Sequence, residues 1–295
     1  MKYGFVKENT SIYSVNRMCN VFNVSRSGYY SWLKHRPGKR ELANTKLDED
    51  ITNVYTKNKK RYGAPRITET LNKQGVKCSS TRVARRMSSM NIKAVGKRKY
   101  KITTDSKHKN PIFDNVLSRD FSTTNINQKW CGDITYIPTR EGWLYLATII
   151  DIHSRAVIGW SMARHMRKQL VCDALLMALF KRKFPKGVII HTDRGSQYCS
   201  SKYLSILAVN HLIGSMSRKG NCWDNSIAES FFHTLKVELI YENTYQTRQE
   251  AKSSIFQYIE GYYNLKRIHS SIGYKTPLEI DVSDKNEEKV SAKSQ

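Results

Sequence analysis

The sequence predicts an α/β protein: a mixed sheet flanked by helices, preceded by an all-α helix-turn-helix region. Three observations predict it. Between Asp133 and Met216, strand-like runs come three in succession and then alternate with apolar helical segments, the order of a mixed sheet with helices on its faces. Between Leu47 and Met90, apolar residues recur at helical spacing and are broken only by short turn signals. Charge is also divided. The chain of 295 residues carries 50 Lys and Arg against 25 Asp and Glu, and residues 1–110 hold 26 basic and 7 acidic side chains against 24 and 18 in the rest. A strongly basic front joined to a balanced rear points to a polyanion bound at the front.

At the amino end, Val15, Met18, Cys19 and Phe22 have helical periodicity, and Ser25 is placed to cap a second short helix carrying Tyr29, Tyr30, Trp32 and Leu33. Residues 1–36 therefore read as a helical segment, either an arm that touches DNA or another subunit, or a packing pair. Pro37, Gly38, Lys39 and Arg40 open a linker over residues 37–46. A helix-turn-helix domain is expected over 45–95. Leu47, Ile51, Val54 and Tyr55 share a face; Arg61 to Pro65 breaks the pattern; Ile67 and Leu71 begin a second helix that Gly75 ends. Ser79 or Ser80 caps a third helix with Val83, Met87 and Met90 inward. Arg82, Arg85 and Arg86 lie on its other faces, suited to a DNA groove or simply to solvent. Residues 96–120, rich in Lys and Arg at their start, read as a basic linker that tracks phosphates or merely tethers.

A catalytic core is expected over residues 121–277. Asp133 to Ile137 is its first strand, Trp143 to Ile150 the second and Ala156 to Trp160 the third. Leu170 to Phe180 is a helix, Val188 to Ile190 a fourth strand, Tyr203 to Val209 a helix and Leu212 to Met216 a fifth strand. Asp193 then stands at the carboxyl end of the fourth strand, with Gly195 turning the chain. Asp224 and Asn225 are good caps for a helix bearing Glu229, whose apolar face is Ala228, Phe231, Phe232, Leu235 and Leu239. Lys236 is two turns beyond Glu229 on a similar face. Ala251, Ile255, Ile259 and Tyr262 mark a later amphipathic helix; the polar run 281–295 reads as a disordered tail.

Two strand-borne aspartates and a helix-borne glutamate in a basic chain suggest a two-metal phosphoryl-transfer site. Hard divalent cations such as Mg²⁺ take oxygen ligands. Two of them, roughly 3.5–4 Å apart, clamp the attacking and leaving oxygens of an in-line displacement at phosphorus. Surface or capping roles for Asp133 and Asp193 are the competing reading, but an unpaired charge in an apolar strand is costly. Asp224 fits a cap better than a ligand, Asp151 a turn, and His191 packing or support of an aspartate. Arg194, Gln197, Asn221 and Asn225 are placed to touch DNA or brace the site.

Three blocks carry a resemblance: Trp130 to Ile137, His191 to Tyr198, and Asn221 to Phe232, with 35 residues between Asp193 and Glu229 and Lys236 seven beyond. With the late run Tyr263 to Pro277, they resemble the DDE core of bacterial insertion-sequence transposases, the group whose catalytic half is encoded by a second reading frame. The resemblance runs from about Leu47 to Pro277. It implies a ribonuclease H-like sheet and an integrase-like core with Asp133, Asp193 and Glu229 as the catalytic, metal-holding carboxylates. It further implies two Mg²⁺ or Mn²⁺ ions, insertion-sequence ends and target DNA as substrates, a homo-oligomer on DNA, and an upstream reading-frame product as a further partner. Lys236, Arg82, Arg85, Arg86, Arg194 and Arg267, the last in a basic loop, are the expected DNA contacts. A metal-dependent nuclease that cuts without joining, and a catalytically inactive DNA-binding protein, are the alternatives. The six cysteines form no CxxC pair and no zinc-like spacing with histidine, so reduced thiols and no structural zinc are expected. No apolar run reaches membrane-spanning length and no signal-like segment leads the chain, so a cytoplasmic, nucleoid-associated protein is expected.

Overall fold

The computed structural model describes residues 2–34, 36–95, 113–218 and 222–284. Residues 96–112 of the basic linker expected at 96–120 and residues 285–295 of the tail expected at 281–295 lie outside these residues, as does Asn221. Backbone contacts divide the chain after Lys93 into two compact units.

The front unit is helical. Helices α1 (Lys2–Glu8), α2 (Val15–Val21) and α3 (Arg26–Leu33) enclose a small core of Val6, Met18, Cys19 and Tyr29. Ser14 and Ser25 cap α2 and α3, each accepting from the backbone N–H three residues on. Helix α4 (Lys39–Lys57) starts within the expected linker. The Pro37-Gly38 break ends before it, and Lys39, Arg40, Glu41, Leu42 and Ala43 are strong helix formers. Helix α5 (Ala64–Lys73) has Pro65 as its second residue, and α6 (Ser80–Ser89) is capped by Ser79. Leu47, Ile51, Val54, Ile67, Leu71, Val83 and Met87, all selected by the periodicity, are buried in these three helices together with Thr68, while Tyr55 and Met90, also selected, are only half-buried.

The rear unit is built on a five-stranded sheet of order β3-β2-β1-β4-β5. Strands β1 (Lys129–Ile137), β2 (Leu144–Asp151) and β3 (Val157–Ala163) are antiparallel neighbours; β4 (Ile189–Thr192) and β5 (Ile213–Met216) run parallel to β1. Alternation along the strands sends side chains to two cores. Trp130, Ala147, Ile149, Ile158 and Ile190 pack beneath α7 (Lys168–Arg182) and α8 (Ser201–Val209). Cys131, Ile137, Leu144, Leu146, Ile150 and Val157 pack beneath α9 (Ser226–Glu238) and α10 (Arg248–Tyr258). Helix α7 lies so close to β3 that a Cβ on Gly159 would sit 2.1 Å from the Ala174 carbonyl oxygen. Only glycine permits that approach.

A π-helical turn, Ile259–Tyr263, continues α10. Residues 277–284 then form a last helix, α11, so the chain is ordered through Asp284 where a disordered tail was expected from Asp281. Its polar composition hides two anchored carboxylates. Asp281 accepts from the buried Arg182 at 2.8 Å, and Asp284 accepts from the backbone N–H of Ile126 at 3.0 Å and lies 3.2 Å from His153.

Candidate active site

Strand register brings the two aspartates together. Cys131 of β1 is paired with His191 of the parallel β4. Asp133 is two residues further along β1, on the Cys131 side of the sheet, and Asp193 is two residues past His191, one beyond the last residue of the adjacent β4. The Cys131 side is the one covered by α9. Asp193 stands just past β4, where its Oδ1 accepts from the N–H of Gly195 at 2.9 Å and closes the turn. Asp133 accepts from the N–H of Ile134 at 2.7 Å.

Helix α9 supplies the glutamate. Its N-cap residue, Asn225, makes no capping bond with its side chain. Instead its Nδ2 donates to the carbonyl of Gly132 at 3.4 Å, tying the start of the helix to β1 one residue before Asp133. Glu229 lies in the first turn of α9 and Lys236 in its last. The Lys236 ammonium stands 5.0 Å from the centre of the Tyr136 ring.

Asp224 departs from the expected capping role. It is fully buried and accepts from Arg119 Nε at 2.9 Å, from Asn115 Nδ2 at 3.0 Å and from the backbone and side chain of Arg218 at 3.0–3.2 Å. Burial opposes its ionisation, but the Arg218 and Arg119 bonds prevail and hold its carboxyl below the usual range. It anchors the loop ahead of α9. Asp151 does close a turn: its carboxylate accepts from the N–H groups of Asn127, His153 and Ser154 and from the Trp130 indole.

The charges of the site are concentrated. Burial pushes the Asp133 carboxyl well above its ordinary range; the negative charge of Asp193 and, more weakly, of Glu229 adds to this, while the Ile134 N–H and Lys236 oppose it. Burial also raises Glu229 and lowers Lys236, with Asp133 partly restoring the lysine. Among the described residues no trio of His, Cys, Asp or Glu is drawn close enough to grip a metal as it stands. A divalent cation among the three carboxylates would offset their mutual repulsion. Sequence reasoning missed Tyr198. Its hydroxyl is buried without a hydrogen-bond partner and lies within the field of Asp133 and Asp193.

His191 packs, as expected, between Ser215 at 2.9 Å and Ser217 at 3.0 Å. The arginines divide. Arg194 donates to the Ser217 carbonyl at 2.7 Å, within the site's own framework. Arg86 forms a two-pronged pair with Asp48 of α4, and Arg82 donates to Asn44 at 2.9 Å. With Arg40, Thr81 and the exposed Arg85 they line a groove between α4 and α6. Arg267, expected on a DNA-facing loop, is instead buried and paired with Glu238 at 2.9 Å, a correction that a basic run of sequence could not reveal.

Comparison with known proteins agrees with this architecture. The family described as Integrase core domain matches residues 124–222 and again 229–280, and an HTH-like domain matches 41–100. Transposase InsF for insertion sequence IS3A of Escherichia coli (strain K12) is 44% identical over 283 residues, covering 95% of this chain and 98% of that protein. The IS600 insertion element 31 kDa protein of Shigella sonnei is 42% identical over 260 residues, covering 88% and 96%. Among solved structures, the catalytic core domain of BIV integrase is 19% identical with a TM-score of 0.42, covering 55% of this chain and 98% of that one. Identity of this depth across nearly the whole chain, with the integrase core and HTH-like domains in order, makes the protein a member of the IS3-family insertion-sequence transposases, enzymes of the polynucleotidyl transferase class.

Proposed function

We propose that Asp133, Asp193 and Glu229 are the catalytic carboxylates of this transposase and hold two Mg²⁺ or Mn²⁺ ions over a scissile phosphodiester at an insertion-sequence end. The carrying observation is placement: Asp133 on β1, Asp193 just past the end of the adjacent β4, and Glu229 in the first turn of α9, the helix tied to β1 at Gly132, with Asp193 and Glu229 near enough to raise the Asp133 carboxyl beyond what burial does. The donor set suits the ions, being all carboxylate oxygen and free of soft ligands. When bound, they would lower the pKa of an attacking hydroxyl and stabilise charge on the phosphate. Asp133 and Asp193, fixed by neighbouring strands, orient the scissile bond. Glu229 closes the site from the helix. Lys236, on the same side and within the field of Asp133, offers its ammonium to a phosphate oxygen. Water would attack the phosphodiester at the element's end, releasing a 3′-hydroxyl and leaving a 5′-phosphate on the flank; that hydroxyl would then attack a target phosphodiester, forming a new P–O bond as the target strand's own 3′-oxygen leaves, and the chain needs no Ser or Tyr nucleophile for this.

Arg40, Arg82 and Arg85, which line the α4–α6 groove, supply the DNA grip of the front unit, while Arg86 beside them is held by Asp48. Each chain carries one carboxylate set, while an element has two ends, so the working assembly contains more than one copy on DNA. The upstream reading-frame product is the further partner this family suggests. The enzyme acts where bacterial DNA is, in the cytoplasm and on the nucleoid.

Labelled insertion-sequence ends incubated with target DNA and Mg²⁺ test the assignment. Wild type yields joined strands. Asp133→Asn, Asp193→Asn and Glu229→Gln should each lower cleavage and joining by about 10³-fold or more, while end binding persists. Each should also lose the rise in melting temperature that Mg²⁺ gives the wild type. Undiminished joining by any one of them removes that residue from the site, and cleavage without joining in the wild type identifies a nuclease.

A further inference from the structure

The late run from Tyr263 to Pro277 belongs to no step of the chemistry just described, yet it is knotted into the fold by polar contacts. Arg267 Nε and Nη2 donate to both carboxylate oxygens of Glu238 at 2.9–3.2 Å. Its Nη1 lies 3.1 Å from His269 Nδ1, and its guanidinium carbon stands 5.6 Å from the centre of the Tyr263 ring. The Tyr258 hydroxyl donates to Glu238 Oε2 at 2.9 Å. Glu238 is the last residue of α9, the helix that carries Glu229 and Lys236.

The same segment grips the sheet. Asn264 Nδ2 donates to the Val157 carbonyl at 3.0 Å, and its Oδ1 accepts from the Val157 N–H at 2.9 Å. Val157 opens β3, the outer strand beyond β2. The π-helical turn sets this up: its extra residue rotates the chain so that Tyr258 faces Glu238 while Tyr263 stacks edge-on against Phe231 of α9 at 4.8 Å. A bridge therefore runs from the sheet edge, through residues 258–269, to the far end of the glutamate helix.

What that bridge does follows from the kind of force at each contact. Beyond the 3.4 Å Asn225–Gly132 bond at its start, α9 is held to the sheet by Ala228, Phe231, Phe232 and Leu235 through apolar burial, which is non-directional and leaves sliding and rolling of the far end of the helix weakly opposed. A forked guanidinium–carboxylate pair is directional. Buried pairs of this kind are poor stabilisers compared with apolar residues of similar volume, so stability alone does not account for one here. An α-helix is stiff, and Glu229 and Glu238 are about 13–14 Å apart along it, so a shift at one end is delivered to the other.

We propose that Arg267 is a positioning residue: through Glu238 it fixes the seat of α9, and so the place where Glu229 meets Asp133. The proposal rests on the carboxylate assignment above. It differs from the reading of this run as a DNA-facing loop in what it makes Arg267 control, which is metal affinity and turnover rather than DNA affinity.

The full chain tests it, with Glu238→Met/Arg267→Met as the principal variant, since removing the pair together leaves no unpaired buried charge. Melting temperature reports folding. Mn²⁺ affinity without DNA is measured by electron paramagnetic resonance, and kcat and KM by end cleavage. The expected result is a folded protein with Mn²⁺ affinity and kcat each reduced roughly 10–100-fold, the range seen when groups supporting metal ligands are removed, and with KM for DNA within about twofold of wild type. Wild-type Mn²⁺ affinity and kcat in the folded variant overturn the proposal. A raised KM with unchanged kcat also overturns it, in favour of a DNA contact. Should the double variant fail to fold, Arg267→Lys decides on the same readouts, because it keeps the charge and loses the fork. Glu229→Gln run in parallel separates the two ideas: if it too binds Mn²⁺ and cleaves like wild type, the carboxylate assignment has failed rather than the clamp.

Discussion

His191 shows how a single side chain joins the site's framework. Both ring nitrogens are engaged by serine hydroxyls of β5 and the residue after it, so the neutral ring is held with one nitrogen donating and one accepting. Burial depresses its pKa to about 4, with Asp224 offsetting a small part. Unfolded, the ring titrates near 6.5. Between these values the unfolded chain binds more protons than the folded one, so stability is whole above about pH 6.5 and is lost as pH falls toward 4. The loss from this one group reaches at most about 3 kcal/mol. Denaturant unfolding at pH 7 and pH 5 should show the wild type losing stability on acidification and His191→Gln losing much less. A steep loss retained in the variant assigns the acid sensitivity to other groups. The sequence put His191 just past the strand expected at Val188 to Ile190, as a packing or supporting residue, but its two serines lie 24 and 26 residues away. No local pattern points to them.

Elements were more legible than individual contacts. Periodicity located β1 to β5 and α4 to α10, and on α4 to α6 and α9 most of the buried face, because burying one stripe or one alternation is what makes the element form. The misses have separate physical causes. Helix α1 buries only Val6 among its described residues, too little to leave a pattern. The start of α4 lies behind Pro37-Gly38, a real break that precedes a helix rather than marking a linker. Helix α11 is held by Asp281 and Asp284 through partners on distant elements. The carboxylates Asp133, Asp193 and Glu229 were picked out by residue type and spacing, whereas the arginines were picked out by charge, and charge does not reveal whether a partner waits. On α6 this distinction can be measured. Arg86 has its fork filled by Asp48, while Arg85 is exposed beside the groove. Arg85→Ala should weaken binding to insertion-sequence ends and lower the salt slope by about 1 without moving the melting temperature. Arg86→Ala should lower the melting temperature, because Asp48 loses its partner. The reverse pattern would transfer the DNA contact from Arg85 to Arg86.

Over the whole molecule, binding and chemistry are set apart in the chain. The 26 basic residues of 1–110 face only 7 acidic ones, while the three proposed catalytic carboxylates lie in the more balanced remainder. Each phosphate neutralised by Lys or Arg releases counterion, so log affinity falls by about 0.9 per contact for each unit of log salt on duplex DNA. If the front half makes most of these contacts, the slope measured with chelator present should be steep and nearly the same in the wild type and in the triple variant Asp133→Asn/Asp193→Asn/Glu229→Gln. Without divalent ions the wild-type carboxylates repel the backbone, so the triple variant should bind somewhat more tightly at every salt concentration, giving parallel lines with an offset. Adding Mg²⁺ to the binding reaction should close that offset in the wild type, since the cations cancel the repulsion, and should leave the slope unaltered apart from ordinary ionic competition common to both proteins. Lines that diverge by more than one unit of slope would place a substantial share of the phosphate contacts in the catalytic half, and the division of labour drawn from the charge distribution would fail.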